Sequence, residues 1–249
     1  MKKMTVKATR WGKSVTLTAA AVLLAGASIS ANAVTVTGNV GYVSDYLFRG
    51  ISQTNEGMAL QGGLNLNSDS GFYLSTWGSN IKFGDGSMEL DVLAGWTGKV
   101  SNDWTLDVGV MQYRYPNGDN ATTEFNFVEA YVKGTYKDFV FGYAYANDYF
   151  GAGVDQYHYL SVDHTYALPN DFSIVSHLGY NLFEDDEQFQ TFLAAGPVSD
   201  SNYIDFSVGV AKSILGASVA LKYAGTNVSD SAQCNLCDNR LVFSVSKSF

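Results

Sequence analysis

Apolar and acidic side chains alternate along Met88-Glu89-Leu90-Asp91-Val92-Leu93-Ala94-Gly95-Trp96. Successive side chains of a β-strand point to opposite faces, so a period of two predicts a strand with one apolar and one polar face. The same alternation occurs in residues 104–110, 203–210 and 215–223. None of these stretches has a helical period, and we therefore predict an all-β chain.

Extending the alternation along the chain predicts twelve strands. They lie near residues 38–49, 58–67, 71–79, 87–98, 103–115, 124–136, 138–147, 156–167, 171–183, 202–212, 215–225 and 239–249. Short connections near residues 67–71, 99–103, 137–138, 168–171 and 213–214 alternate with longer ones near 50–57, 79–86, 116–123, 148–155, 184–201 and 226–238. Bacterial outer-membrane barrels have tight periplasmic turns and longer external loops. The pattern predicts a single transmembrane antiparallel up-and-down β-barrel with both termini on the periplasmic side.

The first 33 residues have the features of a cleaved signal peptide. An apolar run at residues 15–27 follows a basic head and leads to Ala31-Asn32-Ala33, which matches the pattern that signal peptidase cleaves. We expect residues 1–33 to be removed and residues 34–249 to form the barrel. A membrane anchor is the weaker alternative, because the run is shorter than the roughly 20 residues that a spanning helix needs.

The expected mature chain is strongly acidic. The whole chain has a net charge of −9, and without the basic head ten Lys and Arg face 24 Asp and Glu, a net charge of −14. The basic head consists of Lys2, Lys3, Lys7, Arg10 and Lys13. Nucleic-acid-binding proteins concentrate Lys and Arg on one face, so we expect no nucleic-acid partner.

If the apolar parity faces lipid, the other parity brings charged side chains into the lumen. These are Asp45, Arg49, Glu89, Asp91, Asp107, Glu129, Lys133, Asp163, His177, Asp205 and Lys222, with Arg240 on the last strand. Twelve strands make a barrel between the eight-stranded kind, filled by side chains, and the sixteen-stranded porins. We expect a narrow, acidic pore for small hydrophilic solutes or ions with a weak cation preference. A lumen plugged by salt-bridged side chains is an open alternative.

Catalytic and metal sites have less support. The tight turn at residues 168–171 places His177 opposite Asp163, as a base and its orienting carboxylate would lie, but no nucleophile arrangement accompanies them. His158 and His164 lie about 20 Å apart along one strand, too far to share an ion. We expect no enzyme, metal or cofactor, and a membrane-embedded hydrolase is an alternative.

Cys234 and Cys237 lie in the last long connection. Export favours oxidation, so we expect a disulfide that shapes this loop. A redox or zinc site is the alternative, although the pair supplies only two ligands and no redox fold accompanies it.

Two features of the strand ends bear on the membrane. Aromatic residues near strand ends, among them Tyr46 and Phe48 near the long loops, are typical of interfacial girdles. The final strand ends in Phe249 with apolar residues on the same parity, which resembles the C-terminal signal of outer-membrane proteins. That resemblance implies recognition by the outer-membrane assembly machinery.

The segment Ser44-Asp45-Tyr46-Leu47-Phe48-Arg49-Gly50-Ile51-Ser52-Gln53-Thr54 is similar to the opening signature of the TorF-type porin family. Residues 59–63, residues 71–80 and Tyr113-Arg114-Tyr115-Pro116 extend the resemblance over nearly all of residues 34–249. The resemblance implies a barrel in the outer membrane of a Gram-negative bacterium, with lipid as its surroundings. It supplies no transported solute and no functional residues. A nonconducting structural or surface-binding barrel, and a soluble secreted β protein, are the remaining alternatives.

Overall fold

Strands form most of the described chain. The computed structural model of the protein describes residues 33–83, 86–116, 125–151, 153–193, 200–228 and 234–249. The expected signal peptide lies outside these ranges except for Ala33, so its cleavage stays a prediction. The elements are β1 (Val34–Val43), β2 (Leu47–Phe48), β3 (Ile51–Ser52), β4 (Ala59–Ser68), β5 (Phe72–Phe83), β6 (Gly86–Lys99), β7 (Trp104–Arg114), β8 (Phe127–Tyr136), β9 (Phe139–Ala146), β10 (Tyr157–Ala167), β11 (Phe172–Leu182), α1 (Asp186–Leu193), β12 (Asn202–Ile214), β13 (Ala217–Thr226) and β14 (Arg240–Ser248).

Twelve of the strands, all except β2 and β3, close into one antiparallel barrel. Each barrel strand from β4 to β14 pairs with its neighbours along the chain, and β1 closes the barrel by pairing with both β4 and β14. Closure gives every strand two hydrogen-bonded neighbours and so leaves no sheet edge. The predicted all-β, twelve-stranded, up-and-down barrel is therefore confirmed.

The outer wall is apolar, and the interior holds buried charged and polar side chains beside a cluster of aromatic rings. Leu60, Leu178 and Leu241 point outward and are 66%, 56% and 66% exposed, whereas Glu89, Asp205 and Asn181 are buried inside. A soluble protein buries its large apolar side chains, so this inverted distribution suits a barrel surrounded by hydrocarbon. Among the described residues, no helix has both the length and the apolar composition to cross a membrane.

The connections differ from the predicted ones most at residues 79–86, and the short turn predicted at residues 213–214 lies at residues 215–216 instead. The predicted long connection at residues 79–86 is wrong, because β5 and β6 continue to Phe83 and from Gly86. A register irregularity between Asn80 and Phe83 accompanies this extension. The start of β1 pairs with the end of β4 that precedes the short β4–β5 turn, and the end of β14 pairs with Asn39 of β1, so β1 starts and β14 ends toward the short-turn side.

The first strand is also shifted from its prediction. Alternation predicts a strand over residues 38–49, but β1 runs from Val34 to Val43 and the chain then turns into the barrel. Asp45 and Arg49 are therefore carried by an inserted segment rather than by the wall, and the predicted places of Tyr46 and Phe48 in an aromatic girdle are wrong for the same reason.

Candidate functional site

A short hairpin folds from the end of β1 into the barrel. This inner hairpin, residues 44–57, contains β2 and β3, which pair on either side of the two-residue turn Arg49-Gly50. Both turn residues have positive φ, 50° and 81°, as a type I′ turn requires. A Cβ at position 50 would lie 2.5 Å from Thr226 Cγ2 and 2.8 Å from the carbonyl oxygen of Gly225. Glycine at this position therefore lets the turn pack directly against β13.

The base of the inner hairpin is held by a buried carboxylate. Asp45 accepts hydrogen bonds from Ser52 Oγ at 2.6 Å and from Thr54 Oγ1 at 2.9 Å, both within the hairpin. Its other carboxylate oxygen lies 2.8 Å from Arg240 Nη1 of β14, and Arg240 also reaches Glu56 at 3.3 Å. Asp45 thus ties the hairpin both to itself and to the barrel wall.

The tip of the inner hairpin reaches the far wall of the barrel. Arg49 Nη2 lies 2.5 Å from Glu129 Oε2 of β8, which is five strand positions from β1 in one direction and seven in the other. The two side chains are only 6% and 4% exposed. The Arg49 guanidinium also lies 4.1 Å from the ring centre of Tyr159 and 5.0 Å from that of Tyr157. The hairpin therefore spans the lumen and ends in a buried ion pair.

Aromatic rings fill the lumen on the long-loop side of the inner hairpin. The rings come from two connections, β9–β10 and β11–β12, and we call them the aromatic seal: Tyr149, Phe150, Phe183, Phe189 and Phe192. Phe189 and Phe183 have ring centres 4.9 Å apart, and Phe192 lies 5.3 Å from Tyr149. Phe150 contacts Phe48 of the hairpin at 6.0 Å. The seal and the hairpin therefore pack as one apolar layer across the barrel.

The helix α1 supplies two rings of the seal. Asp185 Oδ1 accepts a hydrogen bond from the backbone N–H of Gln188 at 2.9 Å, which makes Asp185 the N-cap of the helix. Asp186 and Glu187 occupy the first turn, where the helix dipole favours acidic side chains. The acidic run that begins at Glu184 is exposed, and the apolar face of α1 enters the barrel mouth instead.

Two adjoining cavities with charged and polar side chains in their lining lie in the lumen. The first, of about 510 Å³, is lined by Asp45, Arg49, Glu129, Lys133, Asp163, His177, Asp205 and Lys222 among others. The second, of about 560 Å³, is lined by Asp91, Asp107 and Lys133, with Asn65, Asn67 and Thr97 nearer the short turns. Glu89 lies inside the barrel, where its carboxylate accepts a hydrogen bond from Tyr46 at 3.3 Å. All the predicted lumen residues thus face inward, and their role in lining a pore stays a prediction.

His177 forms a hydrogen-bond network inside the first cavity. The register pairs His177 with Asp163, the arrangement that the tight turn predicts, and His177 Nδ1 lies 2.7 Å from Asp163 Oδ1. Its Nε2 lies 2.9 Å from Asp205 Oδ1 and 2.9 Å from the hydroxyl of Tyr159. Asn181 Nδ2 donates to the other oxygen of Asp205 at 2.7 Å. Because both ring nitrogens are engaged by carboxylates, the network resembles a structural cross-brace more than a general base awaiting a substrate.

Inward-facing tyrosines are the functional residues that the sequence analysis missed. Tyr73 donates a hydrogen bond to Asp107 at 2.6 Å, and Tyr113 donates to Glu129 at 3.4 Å. Tyrosines also flank Lys133, Asp163 and Asp205 on the same parity, at positions 131, 159 and 203. Because residues of one parity face the same side of a strand, this shared parity predicts that the tyrosines face the lumen.

The disulfide loop contacts the inner hairpin. Cys234 and Cys237 are bonded to each other. The backbone N–H of Ser52 donates to the carbonyl oxygen of Leu236 at 3.0 Å, and Thr226 Oγ1 donates to the carbonyl oxygen of Cys237 at 3.1 Å. The loop therefore braces the hairpin from the long-loop side. In the part of the chain that the structure describes, no group of three or more His, Cys, Asp or Glu residues could hold a metal ion.

The barrel is similar to solved porin structures. KdgM porin aligns with a TM-score of 0.53 at 13% identity, over 86% of this chain and 99% of that chain. A structure described as KdgM porin in complex with disordered oligogalacturonate gives 0.52 at 13% identity, over 86% and 99% of the two chains. NanC porin gives 0.51 at 14% identity, over 85% and 98%. At these identities the likeness shows the fold alone.

Sequence comparison gives a family but no activity. A comparison with curated proteins found no match. A family profile matches residues 27–249, nearly the whole chain, and its description names no solute or reaction. That the chain is of the TorF type stays a prediction. The chain belongs to the family described as bacterial protein of unknown function (Gcw_chp).

Proposed function

We propose that the protein is a porin-like channel of the Gram-negative outer membrane, exported by its signal peptide, that passes small hydrophilic solutes or ions. One observation carries the proposal: a closed barrel with an apolar exterior encloses adjoining cavities of about 510 and 560 Å³ with charged and polar side chains in their lining. Eight-stranded barrels are filled by their own side chains, whereas this interior leaves room for solute and water. The fold that it has in common with porins, and its resemblance to the TorF-type family, support the same function.

The membrane setting is part of the proposal. An apolar outer wall is stable in hydrocarbon, and closure satisfies the backbone groups that lipid cannot. The last strand supports recognition by the outer-membrane assembly machinery, since Phe249 extends β14 and pairs through its backbone with Gly38 at 2.9 Å. We therefore expect lipid, the assembly machinery and small solutes or ions as partners.

The lumen charge favours cations. Among the described residues, seven carboxylates face it, from Asp45, Glu89, Asp91, Asp107, Glu129, Asp163 and Asp205, against the bases Arg49, Lys133, Lys222 and Arg240, with His177 as a titratable group. Arg49 and Arg240 are already paired with Glu129 and Asp45. The acids that remain raise the local concentration of cations and discourage anions.

The inner hairpin and the aromatic seal lie across the long-loop end of this path. Conduction therefore depends on how far they move aside, and the resulting channel is narrow. The same features favour a second candidate function, a nonconducting structural barrel, because a lumen spanned by a buried ion pair and a layer of rings resembles a plug. A membrane-embedded hydrolase has less support, since carboxylates engage both nitrogens of His177.

Planar-bilayer recording distinguishes these functions. A channel gives stepwise currents, and the reversal potential in a KCl gradient should show that potassium permeates better than chloride. Asp107→Asn together with Asp163→Asn should lower that preference, while Asp103→Asn in the β6–β7 turn serves as a control that leaves it unchanged. A chain that gives no current, even when the hairpin has been released from the far wall, is a structural barrel. Anion selectivity would overturn the proposed cation preference.

A further inference from the structure

Two buried carboxylates on β6 each have an oxygen without a hydrogen-bond partner among the described residues. Glu89 and Asp91 are 1% and 5% exposed. Glu89 Oε2 and Asp91 Oδ1 have no hydrogen-bond partner among the residues that the structure describes. A buried carboxylate without a partner is costly, so such groups are normally neutralised by a proton or by a bound cation.

Aromatic side chains surround Asp91. The register places Trp77 of β5 directly opposite Asp91 on one side and Tyr113 of β7 opposite it on the other. Residues directly opposite each other in an antiparallel sheet have Cβ atoms about 4.5 to 5.5 Å apart. Tyr46 of the inner hairpin completes the surround, because its ring centre lies 5.4 Å from that of Trp77 and its hydroxyl donates to Glu89. One carboxylate thus lies between an indole and two phenol rings.

Asp91 and the three rings lie on the wall of a cavity, whereas Glu89 is buried and is not among the residues that line it. Asp91, Trp77, Tyr46 and Tyr113 all line the second cavity, which extends toward the short turns. Lys133 lines the same cavity, but its Nζ lies 5.3 Å from the ring centre of Tyr131. Lys133 forms no ion pair with Asp91 among the described residues.

We infer that Asp91, Glu89, Trp77 and Tyr46 form a binding site for a small organic cation that carries a primary ammonium group. An ammonium has three N–H donors for the unpartnered carboxylate oxygens, and its charge is attracted to the faces of the flanking rings. A divalent metal suits the site less well, because it prefers several oxygen ligands and gains nothing from aromatic faces. The inference deepens the proposed function and rests on it, since it names the class of cation that the acidic lumen takes.

Tryptophan fluorescence provides a direct test. In the full chain with Trp96→Phe and Trp104→Phe, Trp77 is the single tryptophan of residues 34–249. Titration of the detergent-solubilised barrel with propylammonium chloride should give a saturable change in Trp77 fluorescence, and 1-propanol, its neutral counterpart, should give none. Losing a charge-assisted hydrogen bond weakens binding by at least about tenfold, which is the expected effect of Asp91→Asn. Glu89→Gln should have a smaller effect, and Asp103→Asn none.

The outcomes separate this inference from the proposed function. Fluorescence detects binding in a barrel that does not conduct, so binding without current would overturn the channel and keep the site. Current without propylammonium binding would keep the channel and overturn the site. Equal responses to propylammonium and 1-propanol, unchanged binding in Asp91→Asn, or saturation by MgCl₂ in place of propylammonium would also overturn it. Because Asp91→Asn removes a buried charge, heat-dependent gel mobility should show that this variant remains folded.

Discussion

The half of the lumen beside the long loops and the half beside the short turns are built from different side chains. On the long-loop side, the inner hairpin carries Arg49 to Glu129 beneath the packed rings of the aromatic seal. On the short-turn side, charged and amide side chains line open cavities. In the proposed channel, the barrier to passage is therefore the inner hairpin with the aromatic seal, and not the barrel wall alone.

Breaking the Arg49–Glu129 ion pair should open the long-loop half of the lumen more than any other change. Glu129→Ala leaves the buried Arg49 charge without a partner, and removing one member of a buried pair costs about 3 to 5 kcal/mol. We expect the tip of the inner hairpin to leave the far wall and single-channel conductance in planar bilayers to rise. This variant should increase conductance more than the Gly50 and cysteine variants do.

A double substitution is the matched control for the ion pair. Arg49→Leu with Glu129→Leu removes both charges and keeps apolar volume among the surrounding rings, and replacing a buried pair in this way is often neutral. Its conductance should therefore stay close to that of the natural chain. If Glu129→Ala conducts no better than the natural chain, the hairpin is not the barrier and the two halves do not differ in their control of passage.

A smaller change tests how closely the inner hairpin packs against the wall. Gly50 and Gly216 have similar φ values, 81° and 76°, but a Cβ at Gly50 would meet β13 at 2.5 Å whereas one at Gly216 would meet nothing within 4 Å. Alanine at either position has the cost of the left-handed region, about 1 to 2 kcal/mol. Gly50→Ala adds an overlap, and overpacking typically costs about 1 to 3 kcal/mol more.

Urea unfolding and bilayer recording together measure this difference. Gly50→Ala should lower the free energy of unfolding more than Gly216→Ala, and it alone should raise conductance, because only Gly50 lies in the barrier. Equal losses of stability with unchanged conductance in both variants would show that the hairpin accommodates a methyl group at position 50 and stays in place.

The strands of the barrel wall could be predicted from the sequence, but the inner hairpin and the aromatic seal could not. Alternation located β6 and β7 to within a residue or two at most ends, since each strand needs only a period of two and a lipid-facing parity. The same rule failed at residues 44–49, where the alternation continues although the chain has left the wall. The partner that holds Arg49 inside, Glu129, is 80 residues away, and no local pattern reports such a contact.

Two local signals did exist. Arg49-Gly50, between short apolar stretches, has the glycine that a tight hairpin turn favours. Asp185 precedes two acids and an apolar face, which is the pattern of a capped helix start. The acidic run beginning at Glu184 nevertheless resembles a solvated charge cluster, because the local pattern does not report that Phe189 packs against Phe183 and against Tyr203 of β12.

The smallest expected effect concerns the disulfide loop, which contacts the inner hairpin from the long-loop side. A disulfide across so short a loop should stabilise the protein by no more than the lower end of the typical range of about 2 to 4 kcal/mol. Its carbonyl contact with Ser52 nevertheless links it to the barrier. We expect Cys234→Ser with Cys237→Ser to change global unfolding little and to increase brief openings in bilayer records.

Reduction of the natural chain provides the control for this pair. Dithiothreitol should reproduce the brief openings in the natural chain, because it reduces the disulfide. It should have no further effect on the double variant, in which both cysteines have been replaced. The openings should remain fewer than in Glu129→Ala, since the described part of the loop contacts the hairpin through a backbone hydrogen bond to Ser52, whereas the tip is held by a buried charge pair. If the double variant opens as readily as Glu129→Ala, the disulfide loop rather than the Arg49–Glu129 ion pair holds the inner hairpin in place.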